Sequence, residues 1–316
     1  MTPTLTDIRA AAERIRPFAH RTPVFTCATI DEVVSARVFL KCENLQKVGA
    51  FKFRGACNAV FSLSDAEASR GVCTHSSGND GQALALAARM RAIPAYIVMP
   101  ENAPGVKKAA VAGYGGQITF STLQARESTL AEIAMRTGAV EIHPYNNERV
   151  IAGAGTAAFE LLTDYPGLDI VMAPVGGGGL LSGTALASKG LKPRVRVLAA
   201  EPKNADDAFR SLQAGRILPS ENPKTNADGL LTSLGTITFP IIRDNVEQVL
   251  TVSEDNILRA MRLLWERAKL VVEPSGAVPL GAMLEHPSVF AGLQVGLILS
   301  GGNVDLDRLP WNKSGL

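Results

Sequence analysis

Lys52 lies in the run Gly49-Ala50-Phe51-Lys52-Phe53-Arg54-Gly55-Ala56, an ammonium between two aromatic rings at the start of an apolar helical stretch. A lysine walled in this way loses hydration, and its neutral amine is a nucleophile able to hold a carbonyl compound as a Schiff base. The competing reading is a stem laid over the core with its charge left in water. What surrounds Lys52 in the chain decides between them.

Three further segments have the composition of anion-binding loops. Val171 to Val175 leads into Gly176-Gly177-Gly178-Gly179, and Leu180-Leu181-Ser182-Gly183 opens a helix. Glycines between a strand and a helix N-terminus let backbone N–H groups turn inward together beside the positive end of the helix dipole, which makes a phosphate cradle. No Gly-Lys-Ser/Thr follows, so this is not a P-loop, and the spacing is not GxGxxG, although Glu201 ends the next strand where a dinucleotide ribose wants an acid. Glycines that merely permit close packing are the alternative. In Thr74-His75-Ser76-Ser77-Gly78-Asn79-Asp80, hydroxyls, an amide and helix N–H groups converge on one spot suited to a substrate carboxylate, unless Ser77 or Asn79 is only an N-cap. Leu299-Ser300-Gly301-Gly302-Asn303 also ends a strand, and its serine can donate to a ring nitrogen or simply occupy a turn.

These loops need a scaffold of alternating strands and helices. From Gly71 onward, β-branched runs at 72–75, 95–99, 117–120, 170–174, 196–200 and 295–299 alternate with alanine-rich amphipathic runs at 80–91, 104–112, 123–137, 150–163, 181–188 and 254–269. That alternation predicts an α/β fold with a parallel sheet and crossover helices. The stretch 214–238, rich in Pro, Asn, Gly and Thr, reads as a surface loop near a site. No further domain is expected after Leu309.

Composition narrows the classes. The 316 residues carry 32 basic and 30 acidic side chains, with no basic stripe interleaved with aromatics, which argues against a nucleic-acid partner. The opening stretch to His20 is broken by Asp7, Arg9, Glu13, Arg14 and Arg16, unlike a signal peptide, and no segment is apolar for long enough to span a bilayer. No membrane partner and a cytoplasmic location are therefore expected. Cys27, Cys42, Cys57 and Cys73 form no CxxC pair and read as reduced, buried thiols.

Lys41-Cys42-Glu43-Asn44-Leu45-Gln46, Phe51 to Ala56, Ser76-Ser77-Gly78-Asn79, Gly176 to Gly179 and Ser300-Gly301-Gly302-Asn303 occur in one order over nearly the whole chain. This set resembles the serine/threonine dehydratase and serine racemase group of pyridoxal-phosphate enzymes, of the fold-type II, tryptophan synthase β-like architecture. The resemblance implies a two-domain open parallel-sheet fold, with residues 1–70 and 149–316 forming the larger domain and 71–148 a smaller inserted one. It implies pyridoxal 5′-phosphate (PLP) bound through Lys52, with Phe51 beside the ring and Asn79 on its 3′-oxygen. It places the phosphate on Gly176, Gly177, Gly178 and Gly179, and sets Ser300 against the pyridine nitrogen. Ser76, Ser77, Asn79 and Asp80 are implied at the substrate, with Ser77 as a second acid/base opposite Lys52. Glu201, the Ala205 carbonyl and Asp207 resemble a site for Mg²⁺, Mn²⁺ or Ca²⁺, a donor set suited to hard cations. The implied activity is β-elimination of a small 3-hydroxy amino acid such as serine, threonine or 3-hydroxyaspartate, giving a 2-oxo acid and ammonia, with racemisation as the alternative and a homodimer as the assembly. Two positions depart from the family pattern. Asp80 stands where His is usual, which is either helix-dipole complementation or altered substrate choice, and Tyr145 stands where mammalian racemases have Asn and is similar to the aromatic residue of bacterial dehydratases.

Overall fold

The computed structural model describes residues 2–76, 78–101, 103, 105–122 and 124–313, and within them the β-branched runs pair into two sheets. One sheet has, in spatial order, β1 (Val24–Phe25), β2 (Arg37–Cys42), β10 (Gln294–Leu299), β7 (Ile170–Pro174), β8 (Arg196–Pro202) and β9 (Gln248–Val252). Only β1 runs antiparallel to its neighbour. The other sheet, wholly parallel, is β5 (Gln117–Ser121), β4 (Ala95–Pro100), β3 (Val72–His75) and β6 (Val140–Glu141). The predicted α/β class and the predicted strands are present. Strands β1, β2, β6 and β9 join them.

Alternation along the strands sends side chains into helical layers on both faces. On one face of the larger sheet, Met172, Leu198 and Leu250 pack with α2 (Ala28–Val34), α12 (Glu254–Leu263) and α13 (Pro274–Glu285). On the other, Ala173, Val197 and Val249 meet α1 (Leu5–Ile15), α8 (Glu148–Asp164), α9 (Gly179–Leu191), α10 (Asp207–Ala214) and α11 (Thr238–Asn245). The smaller sheet turns Val72, Ile97 and Met99 toward α3 (Lys52–Phe61), α4 (Asp65–Ala68), α5 (Asn79–Met90) and α6 (Gly105–Gly113), and Cys73 and Val98 toward α7 (Arg126–Thr137). Covered on both faces, the strands read as near-continuous apolar runs, and every residue of β7 is buried.

Some boundaries differ from the sequence prediction. The helix expected at 181–188 begins at Gly179, so the glycine run forms its entry and first turn. The helix expected to reach Lys269 gives way at Leu264 to a π-helical turn, after which Lys269 takes a positive φ of 60°. The helix expected at 123–137 is seen from Arg126, and Leu123 lies outside the described residues.

The site depends on how closely three helices approach one another. A Cβ on Gly153 of α8 would meet the Arg54 carbonyl of α3 at 2.5 Å, and one on Gly183 of α9 would meet the Ile151 carbonyl of α8 at 2.4 Å. Only glycine allows those backbones so near, and α3, α8 and α9 pack accordingly as one unit. Lys52 opens α3, and the glycine loop opens α9.

A buried charge cluster fixes the same helix from beneath. Arg54, fully buried, forks onto Glu43 (Nε to Oε2 2.7 Å, Nη2 to Oε1 2.9 Å) and Glu160 (Nη1 to Oε1 2.8 Å, Nη2 to Oε2 2.8 Å). Lys41, also buried, donates to Glu160 Oε2 at 2.6 Å and to the Thr22 carbonyl at 2.7 Å. Two cations and two carboxylates thus neutralise each other two residues beyond Lys52, a placement that charges tolerate in a core only when paired.

Candidate active site

Lys52 reaches a cavity of about 190 Å³ that is also lined by Phe51, Ser76, Asn79, Asp80, Tyr145, Gly176 to Gly179 and Ser300. Its side chain is 19% exposed; Nζ donates to the Pro144 carbonyl at 2.8 Å and pairs with Asp80 Oδ1 at 3.2 Å. It also stands 5.5 Å from the centre of the Phe51 ring. The lysine expected to lose hydration between two aromatic rings thus keeps two polar partners. Phe51 is in turn fixed by its N–H, which donates to the Ser300 carbonyl at 2.9 Å, so the lysine segment and the serine loop are hydrogen-bonded together.

Opposite stands the glycine loop. Gly178 has φ +89°, and a Cβ on Gly177 would meet the Tyr145 ring at 2.5 Å. Thr238 Oγ1 donates to the Gly177 carbonyl at 2.8 Å, which holds that oxygen. No described residue accepts a hydrogen bond from the N–H groups of Gly177, Gly178 or Gly179. Free donors at the start of a thirteen-residue helix are the arrangement that binds a phosphate.

The third wall is the β3–α5 connection. Ser76 Oγ accepts from the N–H groups of Gly78 (3.2 Å) and Gly81 (2.9 Å), so Ser76 performs the capping that sequence alone offered to Ser77 or Asn79. Ser77 itself lies outside the described residues. Asn79 donates to Glu273 Oε1 at 2.8 Å and accepts from Asn303 Nδ2 at 2.9 Å, which ties α5 to the Ser300 loop. Burial pushes the Glu273 carboxyl up to about 8, with the nearby charge of Asp228 adding to the effect. His143 Nδ1 accepts from the N–H groups of Tyr145 and Asn146. Burial, with His75 next in importance, lowers it to about 4, so this imidazole is neutral and carries its proton on Nε2. Its ring meets those of His75 and Tyr145 edge-on.

The sequence model of the family described as "Pyridoxal-phosphate dependent enzyme" matches residues 15–301. The chain belongs to that family. This pyridoxal-phosphate dependent enzyme is 51% identical to beta-hydroxyaspartate dehydratase of Paracoccus denitrificans over 98% of its own length and 99% of the relative's. It is 45% identical to the L-threo-3-hydroxyaspartate ammonia-lyase of Saccharomyces cerevisiae, over 99% and 97% of the two chains. The crystal structure of serine racemase from Dictyostelium discoideum superposes with a TM-score of 0.93 at 50% identity, over 97% of this chain and all of that one. The fold-type II reading of the sequence is therefore correct.

The residues of this pyridoxal-phosphate dependent enzyme fit its cofactor. A lysine, an unpartnered set of helix N–H donors and a loop too tight for any Cβ face one cavity. Sequence reasoning missed His75, Lys107, Arg126, Asp228 and Glu273 in its wall. Glu273 carried a signal, being the single charged residue between Leu270 and Leu284. Arg126 carried none, because it opens a helix with charges on every turn.

At the end of β8, Glu201 is fully buried and accepts from the N–H groups of Ala208 (Oε1, 2.8 Å) and Phe209 (Oε2, 2.9 Å). Burial pushes it up to about 8 and Asp207 up to about 6. Neither Asp207 oxygen nor Ser220 Oγ completes a hydrogen bond, so a buried carboxylate is left without a partner. Among the described residues no three His, Cys, Asp or Glu side chains gather as a metal site. A buried carboxylate without a partner beside a second buried carboxylate is chemistry that suits a hard divalent cation, which would supply the missing charge. Cys42, Cys57 and Cys73 are buried free thiols pushed up to about 12, about 12 and about 11 by desolvation, and Cys27 is also unpaired.

Proposed function

We propose that this chain is a β-eliminating ammonia-lyase for 3-hydroxy amino acids, with 3-hydroxyaspartate its best-fitting substrate. The observation that carries the reading is Arg126 in the cavity wall: Lys52 and Lys107 are already paired with Asp80 and Asp228, whereas Arg126 has only the exposed Glu127 at 4.0 Å, so a second substrate carboxylate finds a counter-charge there. Two of the relatives above are named for hydroxyaspartate.

PLP, when bound, supplies an aldehyde for the substrate amine and an electron-withdrawing ring that weakens the Cα–H bond. Lys52 anchors it and, once freed, takes the Cα proton. The N–H groups of Gly177, Gly178 and Gly179 hold the phosphate, with Gly176 making room. Ser300 offers a hydroxyl to the ring nitrogen, and Asn79 and Phe51 flank the ring. The Ser76–Asp80 loop turns helix N–H groups toward the substrate's α-carboxylate, and Arg126 holds the distal one. Ser77 is the candidate for the second face of Cα. Glu201, Asp207 and the Ala205 carbonyl take a divalent cation that neutralises the buried carboxylates and braces the entry to α10.

The division into a larger domain (1–70 and 149–316) and a smaller one (71–148) is supported by the two separate sheets, with α3 packed between α5 and α8. A cytoplasmic location is supported by four unpaired cysteines, and a homodimer by the exposed apolar side chains of Leu45 and Val271, whose segments are joined by Asn44 Nδ2 donating to the Val271 carbonyl. No described helix is long and apolar enough to cross a membrane.

Racemisation is the second reading, favoured by the 50% identity to a serine racemase. A panel of serine, threonine and 3-hydroxyaspartate stereoisomers, scored for ammonia, 2-oxo acid and inverted enantiomer, separates the two. Ammonia release should be fastest with a 3-hydroxyaspartate isomer. Interconversion of serine enantiomers faster than ammonia release from any substrate would establish the racemase instead.

A further inference from the structure

Asp80 had two expected roles, as a charge complementing the α5 dipole or as a selector of substrate. Its carboxylate does stand in the first turn of α5, and it makes one further contact. It is the second residue of α5, yet no backbone N–H of that helix donates to it among the described residues; it turns to Lys52, 28 positions away in the chain, with Oδ1 at 3.2 Å from Nζ and only 12% of its side chain exposed. Lys52 Nζ is held from the other side by the Pro144 carbonyl at 2.8 Å. An ammonium has three donors, so two fixed acceptors leave one direction free.

We infer that Asp80 is the positioning residue for Lys52, a fixed counter-charge that aims the amine at the cofactor and stabilises the ammonium formed when Lys52 takes the Cα proton. The inference rests on the β-elimination reading for its second half only. In that step the Cα–H bond breaks and its proton joins Nζ; the C–H electron pair forms the Cα–Cβ double bond, and the β-hydroxyl leaves with its own bonding pair. The lysine thereby gains one positive charge beside a carboxylate already in place.

No other described group can serve. Of the groups facing Asp80, His75 ends β3 and is held below its ordinary range by burial and by Arg126. His143, from the segment before α8, is lowered by burial to about 4 and is neutral. Arg126 opens α7 and pairs at 4.0 Å with Glu127, and Lys107 of α6 pairs at 2.7 Å with Asp228. Burial pushes the Asp80 carboxyl up, and the Lys52 charge is the main influence drawing it back. Each of the two thus depends on the other, and the bond between them joins the start of α3 to the start of α5.

The test uses purified holoenzyme of wild type, Asp80→Asn and Asp80→Glu. The first readout is the visible absorption band titrated with pH, which requires no turnover. A carboxylate near the nitrogen that links Lys52 to the cofactor favours its protonated form, so Asp80→Asn should move the spectral midpoint toward acid by about one pH unit or more. Asp80→Glu should restore part of the shift. The second readout is the effect of Cα-deuteration on the rate of ammonia release, which should rise in Asp80→Asn while kcat falls about tenfold or more and KM changes little. Coincident titrations in wild type and Asp80→Asn would overturn the inference, as would a raised KM with unchanged kcat, which assigns Asp80 to substrate binding. If wild type releases no ammonia, the β-elimination reading fails, and the spectral titration still decides the role of Asp80. If Asp80→Asn does not fold, Asp80→Ser takes its place in the titration: coincidence with wild type refutes, a midpoint displaced toward acid supports.

Discussion

Replacing Arg54 with Met keeps the length and most of the volume of the side chain while removing the guanidinium that closes the charge cluster under α3. The wild-type group shares its five N–H donors among seven acceptor contacts, on Glu43, Glu160, Thr156, Thr22 and the His20 carbonyl. Without it Glu160 keeps Lys41 at 2.6 Å, but Glu43, fully buried, keeps only the Thr22 hydroxyl at 2.6 Å. A carboxylate stranded in that way costs about 3–5 kcal/mol. At roughly 2 °C per kcal/mol for a chain of this size, the melting temperature should fall by roughly 6–10 °C. Scanning fluorimetry of the purified protein measures it. The control is Glu43→Gln combined with Arg54→Met: because the neutral amide no longer needs the cation, the double variant should melt above Arg54→Met alone, with a coupling of about 1–3 kcal/mol. Arg54→Met melting within about 1 °C of wild type, or strictly additive effects in the double variant, would refute the claim that the cluster is a mutually neutralising unit.

Lys52→Ala should abolish ammonia release, and borohydride treatment of wild type should fix a pyridoxyl group on Lys52; peptide mapping that finds it on Lys41 or Lys47 would refute the assignment. Gly177→Ala pushes a Cβ into the Tyr145 ring, so PLP affinity, followed by absorbance, should fall roughly ten- to a hundredfold, and Tyr145→Ala in the same chain should recover part of it. In chelator-treated protein, Glu201 at about 8 and Asp207 at about 6 keep protons in the folded state that the unfolded chain, at its ordinary 4.5 and 3.8, has released. Stability should then fall as pH rises from about 5 to 8, by about 1.4 kcal/mol per pH unit for each group inside its window. Mg²⁺ or Mn²⁺ should raise the melting temperature more at pH 8 than at pH 6; equal curves with and without chelator at both values would remove the cation from the account.

What the sequence yielded depends on how local the signal is. The glycine run, Lys52 and the strands of β3, β7 and β10 are written in contiguous residue types, and they fold as read. β2 escaped notice because Lys41 interrupts its apolar run, and that lysine is buried only because Glu160 waits for it 119 residues later. α13 was obscured by Pro279 inside it. Asp80 is a similar case: a carboxylate in a helix's first turn looks complete by itself, and only the folded chain reveals Lys52 beside it. Glu273 and Arg126 join the cavity from opposite sheets, a proximity that no spacing encodes.

The glycine contacts among α3, α8 and α9 have a consequence for how this enzyme can change. The anchor lysine and the phosphate loop open helices knitted together by those contacts, and Ser300 is tied to them through the Phe51 N–H, whereas Lys107 and Arg126 belong to the helices of the smaller sheet. The two groups of residues are therefore open to separate variation. Substitutions on the smaller sheet can explore new side-chain chemistries in the substrate while cofactor retention stays intact, and substitutions at Gly153 or Gly183 forfeit the cofactor whatever the substrate. A lineage built on this plan can diversify its substrates without having to rebuild its catalytic base, and a directed-evolution library is best confined to Lys107 and Arg126, with Asn79 and Asp80 left unchanged.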